Sequence, residues 1–202
     1  MKAKSQTTIL LLIILLAIII RVLPFPGLTR GPISFDSGMT LANAANSLID
    51  GTIFKSISPD QAPLRYIILH FFLYFGREES VITFPSLIFG ILSIYFIYVL
   101  CKNIFNSNVG ILSSFLLAFS PWHIHHSCYT AMYTLYIFLS ILSLLFFLKL
   151  TETKEKLKVC FPYVIFSILM FYSFYPTVTI ILAEFFFSSY ALNIIKKRRL
   201  PI

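Results

Sequence analysis

Few residues in this chain could do chemistry, and most of them fall in two short polar stretches. The first, ISFDSGMTLANAANSLIDG, carries Asp36, whose carboxylate could accept a proton from an attacking hydroxyl. It could equally cap a helix beginning near Ser37, accepting N–H bonds from two or three residues on, and periodicity alone favours the cap. Arg30, Lys55 and Arg65 surround it in sequence. Each can offset charge on a phosphate, although for any single one a lipid-headgroup contact is the plainer reading. Asp50 and Asp60 suit a helix end and a turn, and Asp60 is also a candidate second acid. The other stretch, SPWHIHHSCYTAMY, holds His123, His125 and His126, with Tyr133 at its end. His123 and His126 would share a helix face at i, i+3, but zinc wants three or four ligands with a fixed surround, and only Asp36 or Asp60 could complete a set. Interfacial histidines beside Trp122 and Tyr129 in an aromatic belt are the better reading, so no metal and no cofactor are expected. Between these two readings, His126 and Tyr133 are candidate contacts for a phosphate or substrate.

The elements that must position these residues are membrane helices. Hydrophobic residues make up 58% of the chain, well above a soluble domain, and they come in runs. Mean hydropathy is +0.87. The net charge of +8 sits at the ends of those runs, where it orients spans, and does not point to nucleic acid. The first run, residues 7–20, is short enough for a signal-peptide core, yet it ends in RVLPFP instead of a small-residue cleavage site. It therefore reads as a retained first span over 7–23, with Arg21 free to snorkel outward. Cys101 and Cys160 flank runs near one membrane face and Cys128 lies near the other, so no disulfide is expected.

Spanning about 30 Å of hydrocarbon takes about 20 helical residues, and further candidates are 81–101, 109–123, 131–148, 159–174 and 177–195. Residues 63–75, PLRYIILHFFLYF, would reach only about 20 Å. Lysine and arginine decide that segment. With six spans, Lys2, Lys4, Lys102, Lys149, Lys154, Lys156, Lys158, Lys196, Lys197, Arg198 and Arg199 lie inside, and Arg21, Arg30, Lys55, Arg65 and Arg77 outside. A seventh crossing would leave only Lys2, Lys4 and Arg77 inside, against the positive-inside rule. The segment thus belongs to the outer interface, with Pro63 near its first turn and Gly76 ending it. Upstream, Leu41, Ala45 and Leu48 recur at i, i+4 and i+7 while Thr40, Asn43, Ser47 and Asp50 take other faces, an amphipathic helix stopped at Gly51. The expected fold is an all-α integral membrane domain over residues 1–202. It has about six transmembrane helices and two amphipathic interfacial helices in a first outer loop, 24–80. Both termini are expected in the cytoplasm and the chain in the cell membrane.

The series FDSGMTLANAANSLIDG, APLRYIILHFFLYFG, FPSLIFGILSIYFIYVLCKNIFNSNVGILSSFLLAFSPWHIHHS and AMYTLYIFLSILSLLFFLKL resembles the polytopic C-type glycosyltransferases. The nearest group is the protein O-mannosyltransferase and aminoarabinose transferase superfamily. The resemblance covers about residues 7–195 and is strongest over 62–148. It implies an enzyme that moves a sugar, with inversion, from a polyprenyl phosphate to a lipid, protein or polysaccharide acceptor at the outer face of the cell envelope. It also implies that Asp36, at the position of an essential acid, is the catalytic residue. Three places differ from the family pattern. Ser37 stands where a second acid is common, Gln61 and Ala62 precede Pro63, and Cys128 to Ala131 replace an acid and an arginine. Complete members continue through more spans, so the chain reads as the N-terminal portion of that architecture, and a polypeptide carrying the rest would be a partner.

Two rival readings remain open. A non-catalytic half could scaffold a partner or bind lipid-linked sugar, which the three departures favour. A small transporter or flippase would use Glu184, mid-way along the last run, since intramembrane carboxylates are costly and functional by default. The missing internal repeat speaks against a transporter, and Glu184 could instead be protonated, or bonded to Ser or Tyr of a neighbouring helix, or meet a further segment. The topology has a direct check. A cysteine introduced at position 36 is expected to react with an impermeant maleimide outside intact cells, and one at position 200 only after permeabilisation. The reverse pattern inverts the arrangement.

Overall fold

A computed structural model describes residues 2–23, 35–50, 61–130, 133–152 and 155–187, with the side chains of 2–4, 35–37 and 46–50 outside that description. The described chain is helical throughout, without strands: α1 (Lys2–Val22), α2 (Phe35–Asp50), α3 (Leu64–Leu73), α4 (Glu79–Ile104), α5 (Ser107–Ala118), α6 (Pro121–Ser127), α7 (Tyr133–Glu152), α8 (Lys156–Ser173) and α9 (Tyr175–Phe187), whose first turn Tyr175–Thr177 is 3-10. It is an all-α membrane protein. Among the described residues α1, α4, α7 and α8 are long and apolar enough to cross a bilayer, while α3, α5 and α9 are shorter apolar helices.

The helix α4 is the hub, packing on α1, α3, α5, α6 and α7. Its contact face carries Ser86, Gly90 and Ser93, all buried. Small residues matter here because lipid tails are as apolar as leucine, so helices in a bilayer associate through close packing and interhelical hydrogen bonds. A Cβ at position 90 would overlap Ser127 Oγ, so only glycine lets α6 approach this closely. Hydroxyls tie the helices further: Thr134 Oγ1 donates to the Ser86 carbonyl at 2.8 Å and Ser114 Oγ to the Ile94 carbonyl at 3.0 Å. Apolar packing fills in around these bonds. Ile13 and Ala17 of α1 meet Ile94 and Ala118, and Leu69, Leu73, Ile82, Leu135, Leu139 and Met170 form the largest cluster with Ala44. Leu11, Leu12, Leu15 and Leu16 on the outer side of α1 stay exposed, as a lipid-facing surface requires.

Three local features depart from the sequence pattern. The apolar run from Val109 to His123 is not one helix. It stops at Ala118, and a new helix starts at Pro121, whose missing N–H and ring cannot continue the helix and whose predecessor Ser120 accepts from His123 N at 3.4 Å. Among the described side chains of α2 the fully buried residues are Thr40 and Ala44, with Leu41 and Ala45 flanking them, because the small Ala44 gives α3 a close seat. Arg21 does not snorkel outward: it is 5% exposed and points into the bundle.

Gly76, with a φ of 156°, takes a backbone conformation that favours glycine and turns the chain from α3 into α4. α3 itself buries Tyr66, Leu69, His70 and Leu73 and leaves Phe71, Tyr74 and Phe75 exposed. Gly90→Ala is expected to destabilise the bundle by about 1–3 kcal/mol through overpacking. Denaturant unfolding in detergent reads this, and adding Ser127→Ala should restore part of the loss.

Candidate active site

The end of α1, the start of α4, the end of α6 and the start of α7 lie at one end of the bundle. Gln6 and Asn108, bonded at 3.1 Å, mark the opposite end. At the first end a crevice of about 300 Å³ is lined by Arg21, Glu79, Ser80, Thr83, Ser127 and Cys128 among others. Arg21 is part of its lining. Nη1 donates to the Ala17 carbonyl at 3.0 Å and to the Ala118 carbonyl at 3.1 Å, and Nη2 lies 2.8 Å from His123 Nδ1. A guanidinium only donates, so Nδ1 must accept and the imidazole is neutral, with its proton on Nε2. Nε2 then donates to Ser93 Oγ at 2.9 Å, and the Ser93 hydroxyl donates in turn to the Gly90 carbonyl at 2.8 Å. Both His123 nitrogens are thus spent inside the protein, which removes it from any metal set with His126. Beside them Cys128 Sγ contacts the Arg21 carbonyl at 3.5 Å. Burial pushes the Cys128 thiol up from its ordinary value, and the nearby Arg21 charge opposes that only in part.

The candidate binding residues fall into two clusters. In the first, His126 sits 4.2 Å from the Trp122 ring and 4.6 Å from that of Tyr133, so the structure brings together two of the residues singled out from sequence. His125 instead faces Tyr129, at 4.2 Å. The second cluster joins α2 to α3. Gln61 Oε1 accepts from Asn43 Nδ2 at 3.0 Å and from the Tyr66 hydroxyl at 2.8 Å. Arg65 lies 4.8 Å over the Tyr66 ring, with Nη2 donating to the Tyr66 hydroxyl at 2.6 Å. His70 Nδ1 lies 3.3 Å from the Ala44 carbonyl and Nε2 3.3 Å from the Tyr74 hydroxyl.

The α8–α9 junction connects the two. Phe174 packs on Tyr133 and stacks on Tyr136, and the adjacent Tyr175 hydroxyl donates to the Gln61 carbonyl at 3.2 Å. Asp36 lies in the first turn of α2, the helix that Gln61 and His70 hold. Its side chain lies outside the described residues, and so do Arg30, Lys55 and Asp60 entirely.

Gln61, His70, Arg21 and Ser93 were not singled out from sequence as site residues. Gln61 is flanked by a turn and looked like a neutral replacement. The spacing of Tyr66, His70 and Tyr74 at i, i+4 and i+8 was the one available sign of a polar seam on α3. Glu184 is 3% exposed, and its two oxygens accept from Tyr163 at 2.8 Å and from Ser143 at 3.2 Å. Bonds to hydroxyls of α7 and α8 therefore account for its presence, and it lines an apolar groove of about 480 Å³ away from the histidine end.

Residues 60–200 match the family described as dolichyl-phosphate-mannose-protein mannosyltransferase. No curated protein and no solved structure matches the chain.

Gln61→Leu is expected to leave Asn43 and Tyr66 without their acceptor and to cost about 1–3 kcal/mol. Hydrogen exchange read by mass spectrometry should show faster exchange in α2 with α7 unchanged. Equal acceleration in both helices would mean that Gln61 holds no particular seam.

Proposed function

The chain belongs to the dolichyl-phosphate-mannose-protein mannosyltransferase family, and from that premise we propose that it transfers a sugar from a polyprenyl phosphate to an acceptor hydroxyl at the outer membrane face, with Asp36 as general base. Membership makes it a membrane glycosyltransferase of the polyprenyl-phosphate-sugar-dependent kind. The finer assignment rests on one observation. The helix whose first turn contains Asp36 is bonded through Asn43–Gln61 and Ala44–His70 to α3, and through Gln61–Tyr175 to the junction that packs on Tyr133. The helix that carries Asp36 is thereby tied to its neighbours, which supports a catalytic base there.

In the proposed step the acceptor oxygen attacks the anomeric carbon from the face opposite the phosphate. The bond from that carbon to the phosphate oxygen breaks with its electron pair, and polyprenyl phosphate departs. The acceptor proton passes to Asp36, and the configuration inverts. A phosphate leaving group is already a stable anion and needs little acid help, so one carboxylate suffices for proton transfer. Arg30, Lys55 and Arg65 offset the charge on the departing phosphate, with His126 and Tyr133 completing the contact. Asp60 is the reserve acid. The acceptor is a lipid, a protein or a polysaccharide of the cell envelope.

The second reading is a half that binds lipid-linked sugar or a partner polypeptide without turnover. It is favoured by the segment after Ser127, where Tyr129 and Thr130 are buried at 9% and 5% exposure in the place of a charged pair. Asp36→Asn discriminates between the readings. In membranes supplied with polyprenyl-phosphate sugar it is expected to lower kcat about a hundredfold or more and to change donor binding by less than about threefold. Turnover equal to that of the unaltered chain removes Asp36 from the mechanism, and no turnover by either favours the binding half.

A further inference from the structure

The bond between Arg21 and His123 joins residues 102 apart in the chain, and nothing in the proposed transfer uses it. It holds the shortest of the described helices. α6 has seven residues, too few to be stable alone, so its orientation comes from what grips it. Its inward stripe is His123, Ile124 and Ser127, of which only Ile124 contributes apolar burial. The remaining grip is polar: Arg21 and Ser93 on the two imidazole nitrogens, and the contact of Cys128 Sγ with the Arg21 carbonyl. Against Gly90 there is no slack for α6 to shift toward α4.

The adjoining side of α6 carries Trp122 and His126, an i, i+4 pair whose rings pack at steep angles against Tyr133. His126 is three residues from His123, about 60° away around the helix axis. Any rotation that loosens His123 therefore swings His126 off Tyr133. His123 itself has no proton to exchange with a substrate, because one nitrogen accepts from a guanidinium and the other donates to a serine.

We propose that Arg21 and His123 are positioning residues, whose buried bond sets α6 against α1 and so presents His126, paired with Tyr133, to the phosphate of the lipid-linked donor. The proposal deepens the transfer reading and rests on it for its kinetic test, while its structural test stands apart. Arg21 acts through the planar fork that reaches two carbonyls and an imidazole at once, which a lysine ammonium does not reproduce.

Two measurements on the full chain decide it. In the kinetic arm, Arg21→Lys is expected to raise KM for the polyprenyl-phosphate sugar about tenfold while kcat stays within about threefold. In a His126→Phe background the same substitution should add nothing, because both changes remove one contact. Effects that multiply in the double variant would overturn the proposal.

In the structural arm, Cys101→Ser and Cys160→Ser leave Cys128 as the only thiol. Its half-buried sulfur should alkylate slowly in the unaltered bundle and about fivefold faster with Arg21→Lys or His123→Phe. Ser93→Ala removes the acceptor of His123 Nε2 and the bond to the Gly90 carbonyl but leaves the Arg21 bond in place, and serves as the mild variant, with a smaller acceleration expected. Unchanged alkylation in all three variants would overturn the joint. If the unaltered chain shows no turnover, the transfer reading falls and the alkylation rates still decide whether Arg21 and His123 hold α6.

Discussion

A guanidinium cannot shed its proton under any condition a membrane offers, so a buried arginine must be surrounded by acceptors or not be buried at all. That constraint organises one end of this molecule. Arg21 gathers a carbonyl from its own helix, a carbonyl from the end of α5 and a ring nitrogen from α6 around one guanidinium. These partners are all neutral, and their hydrogen bonds offset much of the cost of burying the charge although Nε has no partner among the described residues; one of the acceptors is supplied by a helix end without extra residues. Ala118 is the last residue of α5, and its carbonyl has no later turn to bond. The break before Pro121 therefore frees an acceptor where the arginine needs one, and the same break creates the short helix carrying the histidines.

The remaining polar groups obey the same rule in milder form. Ser143, Ser167 and Tyr163 gather around Glu184, with the two serines 3.0 Å apart, and Gln61 collects Asn43, Tyr66 and Tyr175. Each set ties helices that apolar contact alone would leave free to slide, since lipid competes equally for leucine. Small residues on α4 bring the backbones close enough for hydroxyl bonds to reach carbonyls on neighbouring helices. Packing and hydrogen bonding are here one arrangement.

Much of the helical layout was legible in the sequence because hydropathy is a local property. Leu41 and Ala45 marked α2, the run through Val81 marked α4, and Pro63 with Gly76 bracketed α3. The split of the third run was signalled by Ser120-Pro121 but masked by the apolar residues on both sides. Partner choice was not legible. Arg21 at a helix end reads as a snorkelling residue until acceptors 97 and 102 positions away are known, and Gln61 reads as an inert replacement until Tyr175 arrives from 114 residues downstream. His126 and Tyr133 could both be singled out in advance because they lie seven positions apart in one polar stretch, but their ring contact could not.

The long separation between Arg21 and its acceptors carries a consequence for how the protein is made. When α1 leaves the ribosome and enters the bilayer, α5 and α6 have not yet been translated, and a guanidinium at that depth has only headgroups and water to bond. The nascent first helix must therefore hold this side chain at the lipid surface, then surrender it to the interior once nearly a hundred further residues have been inserted. The snorkelling posture belongs to the newborn chain and the buried one to the finished protein, so the arrival of α5 and α6 is the moment at which α1 acquires its lasting place.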